Sequence, residues 1–201
     1  MGRPQGFLER TQLVKVLITL LDHAMPGCAH VEYRLVGTGA ALLHGVRLPA
    51  VDIDILVRKR EGVDAFCLAL SGLRCIDPPA WLEGAQQYYG NYEVEGVEVE
   101  FSTVEVDSPV DTIETFGLGP WKHSVPLPCG RYTVPTVRLE LRLITELYRN
   151  RPDRYKPLLE HLRVTGCDTA LIRRGMTAVG LPEALRDEVL CSLSQGQATH
   201  P

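Results

Sequence analysis

No segment of this chain is apolar for long enough to cross a bilayer. The longest apolar run, around Leu13–Leu21, is interrupted by Lys15 and Thr19 and followed by Asp22 and His23, well short of the ~20 apolar residues that a spanning helix needs. Met1–Arg10 lacks an apolar stretch closed by a small-residue cleavage site, so no secretory leader and no membrane partner are expected, and the chain is expected in the cytoplasm. The six cysteines (Cys28, Cys67, Cys75, Cys129, Cys167, Cys191) form no C-x-x-C pair and have no histidine at ligand spacing. That spacing argues against zinc and against a disulfide framework, and predicts small buried apolar residues in a reducing compartment. Internal repeats and low-complexity tracts are also lacking. What is present is ordinary globular composition, 201 residues of which 45% are hydrophobic and 23% charged, enough to bury the core of one domain or of one domain with a small appendage.

The net charge of −4 conceals an uneven distribution. Between Glu93 and Glu114 there are eight acidic residues and no basic one, whereas Arg138–Arg174 carries nine basic residues against five acidic. Such asymmetry suits a site that holds a metal with one part and phosphate with the other, although two solvated faces would look the same.

Periodicity sets the organisation. Leu13, Val16, Leu17, Leu20 and Leu21 make a helical stripe within Phe7–Met25, expected to stop at Pro26-Gly27. A strand is expected over Val31–Val36, a helix over Thr38–Gly45, a strand over Val51–Val57 and a helix over Glu61–Leu73, before a break at Pro78-Pro79. Tyr88–Val94 and Val97–Val104 alternate with period two around Glu95-Gly96, the pattern of a β-hairpin. One further β segment is expected near Trp121–Val134. Four helices then follow over Leu139–Arg149, Arg154–Val164, Thr169–Val179 and Leu181–Leu193, with Ser194–Pro201 frayed. The fold class is therefore α+β, a mixed sheet with flanking helices over 1–135 followed by a helical C-terminal part over 136–201.

The stretch LVGTGAALLHGVRLPAVDIDILV, Leu35–Val57, carries the chemistry. Gly37, Thr38 and Gly39 lie where a strand meets a helix, and the free N–H groups at such a junction suit the phosphates of a nucleoside triphosphate. Asp52 and Asp54 alternate with Val51, Ile53 and Ile55, which puts both carboxylates on one face about 7 Å apart at Cα. Two close carboxylates repel unless a cation joins them, and magnesium is the hard cation that accepts such oxygens while keeping sites for substrate phosphate. Glu98 and Glu100 share the face opposite Val97, Val99 and Phe101, and either one completes a three-acid cluster.

The combination of Gly37-Thr38 with Ala40 and Gly45, thirteen residues between Thr38 and Asp52, the Asp52-Ile53-Asp54 strand and Glu98-Val99-Glu100 resembles the nucleotidyltransferase superfamily. That superfamily takes in polymerase-β-like folds, antibiotic nucleotidyltransferases and abortive-infection toxins that modify transfer RNA. The resemblance covers Tyr33–Glu105, with a looser similarity over Leu139–Leu162. It implies two Mg2+ ions held by Asp52 and Asp54, with Glu100, continued by Phe101-Ser102-Thr103, as the third metal ligand or the base. The acceptor hydroxyl, on a transfer RNA end or a small molecule such as an antibiotic, would attack the α-phosphorus and release pyrophosphate. The toxin branch further implies an antitoxin protein partner.

The chain departs from the family at several places. Gly39 replaces a hydroxyl residue, Leu48 stands where toxin-like members carry an arginine, with Arg47 one position earlier, glutamates replace the usual third aspartate, and Glu146 precedes Leu147 where a lysine is common. These departures suit a catalytically inactive binding scaffold of the same fold. A metal-dependent glycosyltransferase also uses D-x-D, but usually on a longer chain. Arg149, Arg151, Arg154 and Lys156 put four cations into eight residues. Arg151 and Arg154, with Arg47, are the candidate phosphate-binding arginines, a solvated corner paired by Asp153 being the alternative. His44 reads as a packed histidine. Trp121 and the pair Tyr88-Tyr89 read either as base-stacking groups or as half-buried aromatics.

Overall fold

The computed structural model describes residues 6–106 and 112–197. Within them a seven-stranded mixed sheet runs in the order β3-β4-β5-β2-β1-β7-β6. In chain order the elements are α1 (Arg10–Cys28), β1 (Tyr33–Val36), α2 (Gly37–Leu43), β2 (Asp52–Val57), α3 (Arg60–Ala69), β3 (Arg74–Leu82), β4 (Gln87–Val94) and β5 (Val97–Ser102). They continue with α4 (Gly119–Lys122), β6 (Ser124–Cys129), β7 (Tyr132–Val137), α5 (Leu139–Tyr148), α6 (Pro152–Thr165), α7 (Thr169–Ala178) and α8 (Glu183–Gln197). The expected frayed tail lies outside the described residues beyond Gln197, and α8 carries the chain that far. No helix among the described residues is long and apolar enough to cross a membrane.

The stripe of α1 buries Leu13, Val16, Leu17, Leu20 and Leu21 as expected, but the helix runs through Pro26 to Cys28. A proline in the final turn removes one hydrogen bond, and the burial of Ala24 and Cys28 holds the turn in place against that loss. Pro78-Pro79 likewise does not break the chain. It lies in β3, an edge strand with register shifts between Cys75 and Asp77 and between Asp77 and Ala80, and an edge tolerates residues that cannot donate to a ladder. The single segment expected near Trp121–Val134 is the short helix α4 followed by the hairpin β6–β7, whose other edge strand carries Pro126 and Pro128. Cys28, Cys67 and Cys129 are buried, whereas Cys75 on the edge strand and Cys191 are exposed.

Two apolar clusters result. One joins α1 and α3 to the sheet through Ile53, Ile55, Val99 and Phe101, with Phe66 stacked on Phe101 at 4.8 Å between centroids. The other joins Ala41, Val46 and Leu48 to α5–α8 through Leu141, Ile144, Leu158 and Ile172. Each fully buried Leu or Phe contributes about 1.5–3 kcal/mol, so the side chains facing these clusters hold the strands in register. The same alternation leaves Asp52, Asp54 and Glu100 off the packed faces.

Candidate active site

Two strand pairings and a glycine turn bring the candidate residues together. β1 runs antiparallel to β2 with Val36 opposite Asp54, so the chain leaves β1 directly over that carboxylate. β2 runs parallel to β5, which sets Asp54 beside Glu100 and Asp52 beside Glu98. Gly37 follows Val36 with φ +68°, and a Cβ built on it would lie 1.9 Å from Asp54 Oδ2. Only glycine meets both demands, a left-handed backbone and contact with a carboxylate. Gly37→Ala is expected to displace Asp54 and lower thermal stability by an amount on the order of 1–3 kcal/mol; an unchanged melting temperature would show that the turn has slack.

Asp54 is pushed up to about 7, by burial first and then by the charges of Asp52 and Glu100, with Arg142 pulling the other way and Glu114 adding to the rise. Burial also raises Glu100, helped by Asp52 and opposed by a hydrogen bond from Ser102. The two hairpin glutamates differ in surroundings: Glu98 is exposed, whereas Glu100 is half-buried and lines a cleft of about 150 Å³ with Gly37, Asp54, Glu114, Arg142 and Arg149. A larger cleft of about 420 Å³ opens at the opposite ends of β1 and β2 beside His30, Glu32 and Lys59, and none of the carboxylates Asp52, Asp54 and Glu100 lines it.

The phosphate-binding candidates have different placements. Thr38 and Gly39 are buried in the first turn of α2. The Gly37 N–H donates to Glu114 Oε1 at 2.9 Å, so this amide is satisfied within the chain. Arg47 is exposed between α2 and β2 and does not line the carboxylate cleft. Arg151 turns onto Glu146, with Nε 2.6 Å from Oε2 but without the alignment of a hydrogen bond, and Arg154 reaches the same carboxylate at 4.0 Å. His44 is half-buried with Nε2 3.0 Å from the Val137 carbonyl oxygen, the packed histidine expected.

Sequence reasoning did not single out Glu114 or Arg142. Arg142 pairs with Glu114 at 2.9 Å and with Glu146, and all three side chains are buried. Burial works against the charged guanidinium, but Glu114 and Glu146 outweigh it and hold Arg142 above its ordinary value. Their only sequence signal was the acidic stretch ending at Glu114, the basic third containing Arg142, and the i, i+4 spacing of Arg142 and Glu146. The pairing of Glu114 with Arg142 bridges 28 positions and has no periodic signature.

Among the described residues, no three Asp, Glu, His or Cys side chains close around a common point as metal ligands do. The donor set nevertheless fits a hard divalent cation. Asp52, Asp54 and Glu100 supply only oxygens, and the charges of Asp52 and Glu100, which add to the burial that raises Asp54, are what a cation would neutralise.

No family model matches the chain, and no curated protein matches it in sequence. Solved structures do match. A candidate nucleotidyltransferase of Thermotoga maritima is similar at 19% identity and a TM-score of 0.55, over 80% of this chain and 98% of that one. An antigenic nucleotidyltransferase-like protein of Paracoccidioides brasiliensis matches at 11% identity and a TM-score of 0.49, over 92% of this chain and 95% of that one. The antibiotic-resistance factor ANT(2'')-Ia, solved with adenylyl-2''-tobramycin, matches at 12% identity and a TM-score of 0.41, over 92% of this chain and 97% of that one. This chain shares the fold of the first of these.

Proposed function

We propose that this chain, which has the nucleotidyltransferase fold, moves a nucleotide from a nucleoside triphosphate to a hydroxyl acceptor and releases pyrophosphate. The observation that carries this reading is Asp54, a carboxylate raised by burial and by the charges of Asp52 and Glu100, beneath a glycine whose left-handed backbone and close approach to it both exclude a side chain. Asp52, Asp54 and Glu100 would hold Mg2+, two ions in our reading. The bound metal would neutralise phosphate charge and lower the cost of a developing alkoxide. Gly37, Thr38 and Gly39 shape the turn beside the triphosphate. Glu100, raised by burial, would take the proton of the attacking hydroxyl. The acceptor oxygen bonds to the α-phosphorus, the bond from that phosphorus to the bridging oxygen breaks, and pyrophosphate leaves. Arg47, Arg151 and Arg154 are the cations proposed for the outer phosphates, the last two after release from Glu146.

The acceptor is a transfer RNA end or a small molecule such as an antibiotic, with cytoplasmic action and an antitoxin partner following in the first case. One observation favours the alternative of a catalytically inactive scaffold: the Gly37 N–H that would meet phosphate is taken by Glu114. Transfer from labelled triphosphates, offered with Mg2+ and either total RNA or small hydroxylated acceptors, separates the two. In the same assay Glu100→Gln is expected to cost about a hundredfold or more, as loss of a general base does, and Glu98→Gln less than about threefold. The reverse order would move the third carboxylate to Glu98, and small equal effects would favour the scaffold.

A further inference from the structure

Both tryptophans of the chain meet arginines beyond the carboxylate cleft. Trp121 has the Arg34 guanidinium 5.2 Å and the Arg58 guanidinium 5.0 Å from its ring centroid. Arg60 lies 4.7 Å from the Trp81 ring centre and 5.4 Å from that of Tyr88, two residues facing each other across β3 and β4. Several of these groups are already fixed in orientation. Arg34 donates to the carbonyls of Tyr33 and Trp121, Arg60 makes a two-pronged pair with Glu105 at 2.7 Å, and Trp81 Nε1 donates to Glu83. Arg58 is the least committed, with a side chain 38% exposed and one loose ion pair to Glu32 at 3.9 Å.

A third cleft, of about 310 Å³, opens beside Trp121 and Arg58 and is further lined by Glu105, Phe116 and Leu118. It is continuous with the carboxylate cleft, since Leu56, Val104 and Thr115 line both. β2 leads from one to the other, from Asp54 past Leu56 to Arg58, a path of about 13 Å at strand rise. Flat aromatic faces backed by guanidinium groups suit planar bases joined by an anionic backbone, the arrangement by which proteins hold single strands. A duplex keeps its bases stacked on each other and offers no free face to Trp121.

We propose that this aromatic and guanidinium-lined cleft binds a single-stranded nucleic acid, with a base stacked on Trp121 and backbone phosphate on Arg58, and that this strand presents the acceptor hydroxyl to the carboxylate cleft. The acceptor role rests on the nucleotidyl-transfer reading; the binding does not. The test is fluorescence anisotropy of a labelled short single-stranded oligoribonucleotide with the full chain, without metal or triphosphate. The parent is expected to bind it, to bind the corresponding duplex at least about tenfold more weakly, and to lose about tenfold on Trp121→Ala or Arg58→Ala, while Trp121→Phe keeps most of the affinity. If Trp121→Ala does not fold, Arg58→Ala carries the comparison, because its side chain is exposed. Equal affinity for duplex and single strand, parent affinity in the Arg58 variant, or no binding at all would overturn the proposal. Binding without nucleotide addition on loading Mg2+ and triphosphate would leave the strand site standing and remove the acceptor role, whereas transfer to a small acceptor without strand binding would keep the nucleotidyl-transfer reading and overturn the strand site.

Discussion

Asp54→Asn is expected to abolish nucleotide transfer and, at the same time, to make the metal-free protein more stable at pH 8. The two effects share one cause. In the folded chain Asp54 is raised to about 7 from an ordinary value of 3.8, so the folded state holds this proton more tightly than the unfolded state does. Stability from this group is therefore full at pH values below about 4, falls as pH rises from about 4 to about 7, and levels off above that. The full shift corresponds to about 4 kcal/mol. Asp54 keeps a partial opening to the cleft, and water reaching it reduces the penalty, so about 2 kcal/mol is the realistic expectation. Asparagine keeps the shape and has no charge to bury. Urea midpoints in the presence of a chelator should fall between pH 5 and pH 8 for the parent and fall much less for the variant, in which Glu100 alone of the two raised carboxylates remains. With Mg2+ and triphosphate the variant should lose about a thousandfold or more in turnover, since a metal ligand stabilises the transition state by several kcal/mol. Near-normal turnover would remove Asp54 from the metal site, and identical pH slopes would remove it as the source of the pH dependence.

Arg142→Met is expected to destabilise the fold by about 3–5 kcal/mol, the usual cost of leaving buried charges unpaired. Arg142 is the cation paired with Glu114 and shares Glu146 with Arg151 and Arg154, so its loss leaves the Glu114 charge unmatched, and both carboxylates are essentially inaccessible to water. Glu114 also accepts the Gly37 N–H, so the loss should spread to the turn over Asp54. Against a typical total stability of about 5–15 kcal/mol this is severe. The triple variant Arg142→Met, Glu114→Gln, Glu146→Gln is expected to recover most of the loss, because the desolvated charges go with the arginine. Denaturant titrations of the single and triple variants measure both effects. A single variant within about 0.5 kcal/mol of the parent would mean that water or another cation reaches Glu114.

The local features were legible in the sequence because each depends on neighbours a few positions away. The α1 stripe follows from apolar residues at helical spacing, and the hairpin from Glu95-Gly96, where both residues take positive φ, 54° and 76°. Alternation along β2 and β5 likewise dictates that Asp52 shares a face with Asp54, and Glu98 with Glu100. Alternation cannot specify which strand lies alongside, and that was decided by tertiary structure. The parallel pairing of β2 with β5 puts Glu100 beside Asp54 and leaves Glu98 exposed beside Asp52. The same distinction governs the charges. Arg151 and Arg154 are cations at a helix junction in the sequence, but α5 presents them with a buried carboxylate, Glu146, whose burial depends on the packing of the whole helical part. Glu114 and Arg142 meet only because the fold closes the 28-residue separation between them. Short-range periodicity is written residue by residue, whereas burial and long-range pairing are properties of the assembled core, where a charge left unmatched costs several kcal/mol and so selects its partner.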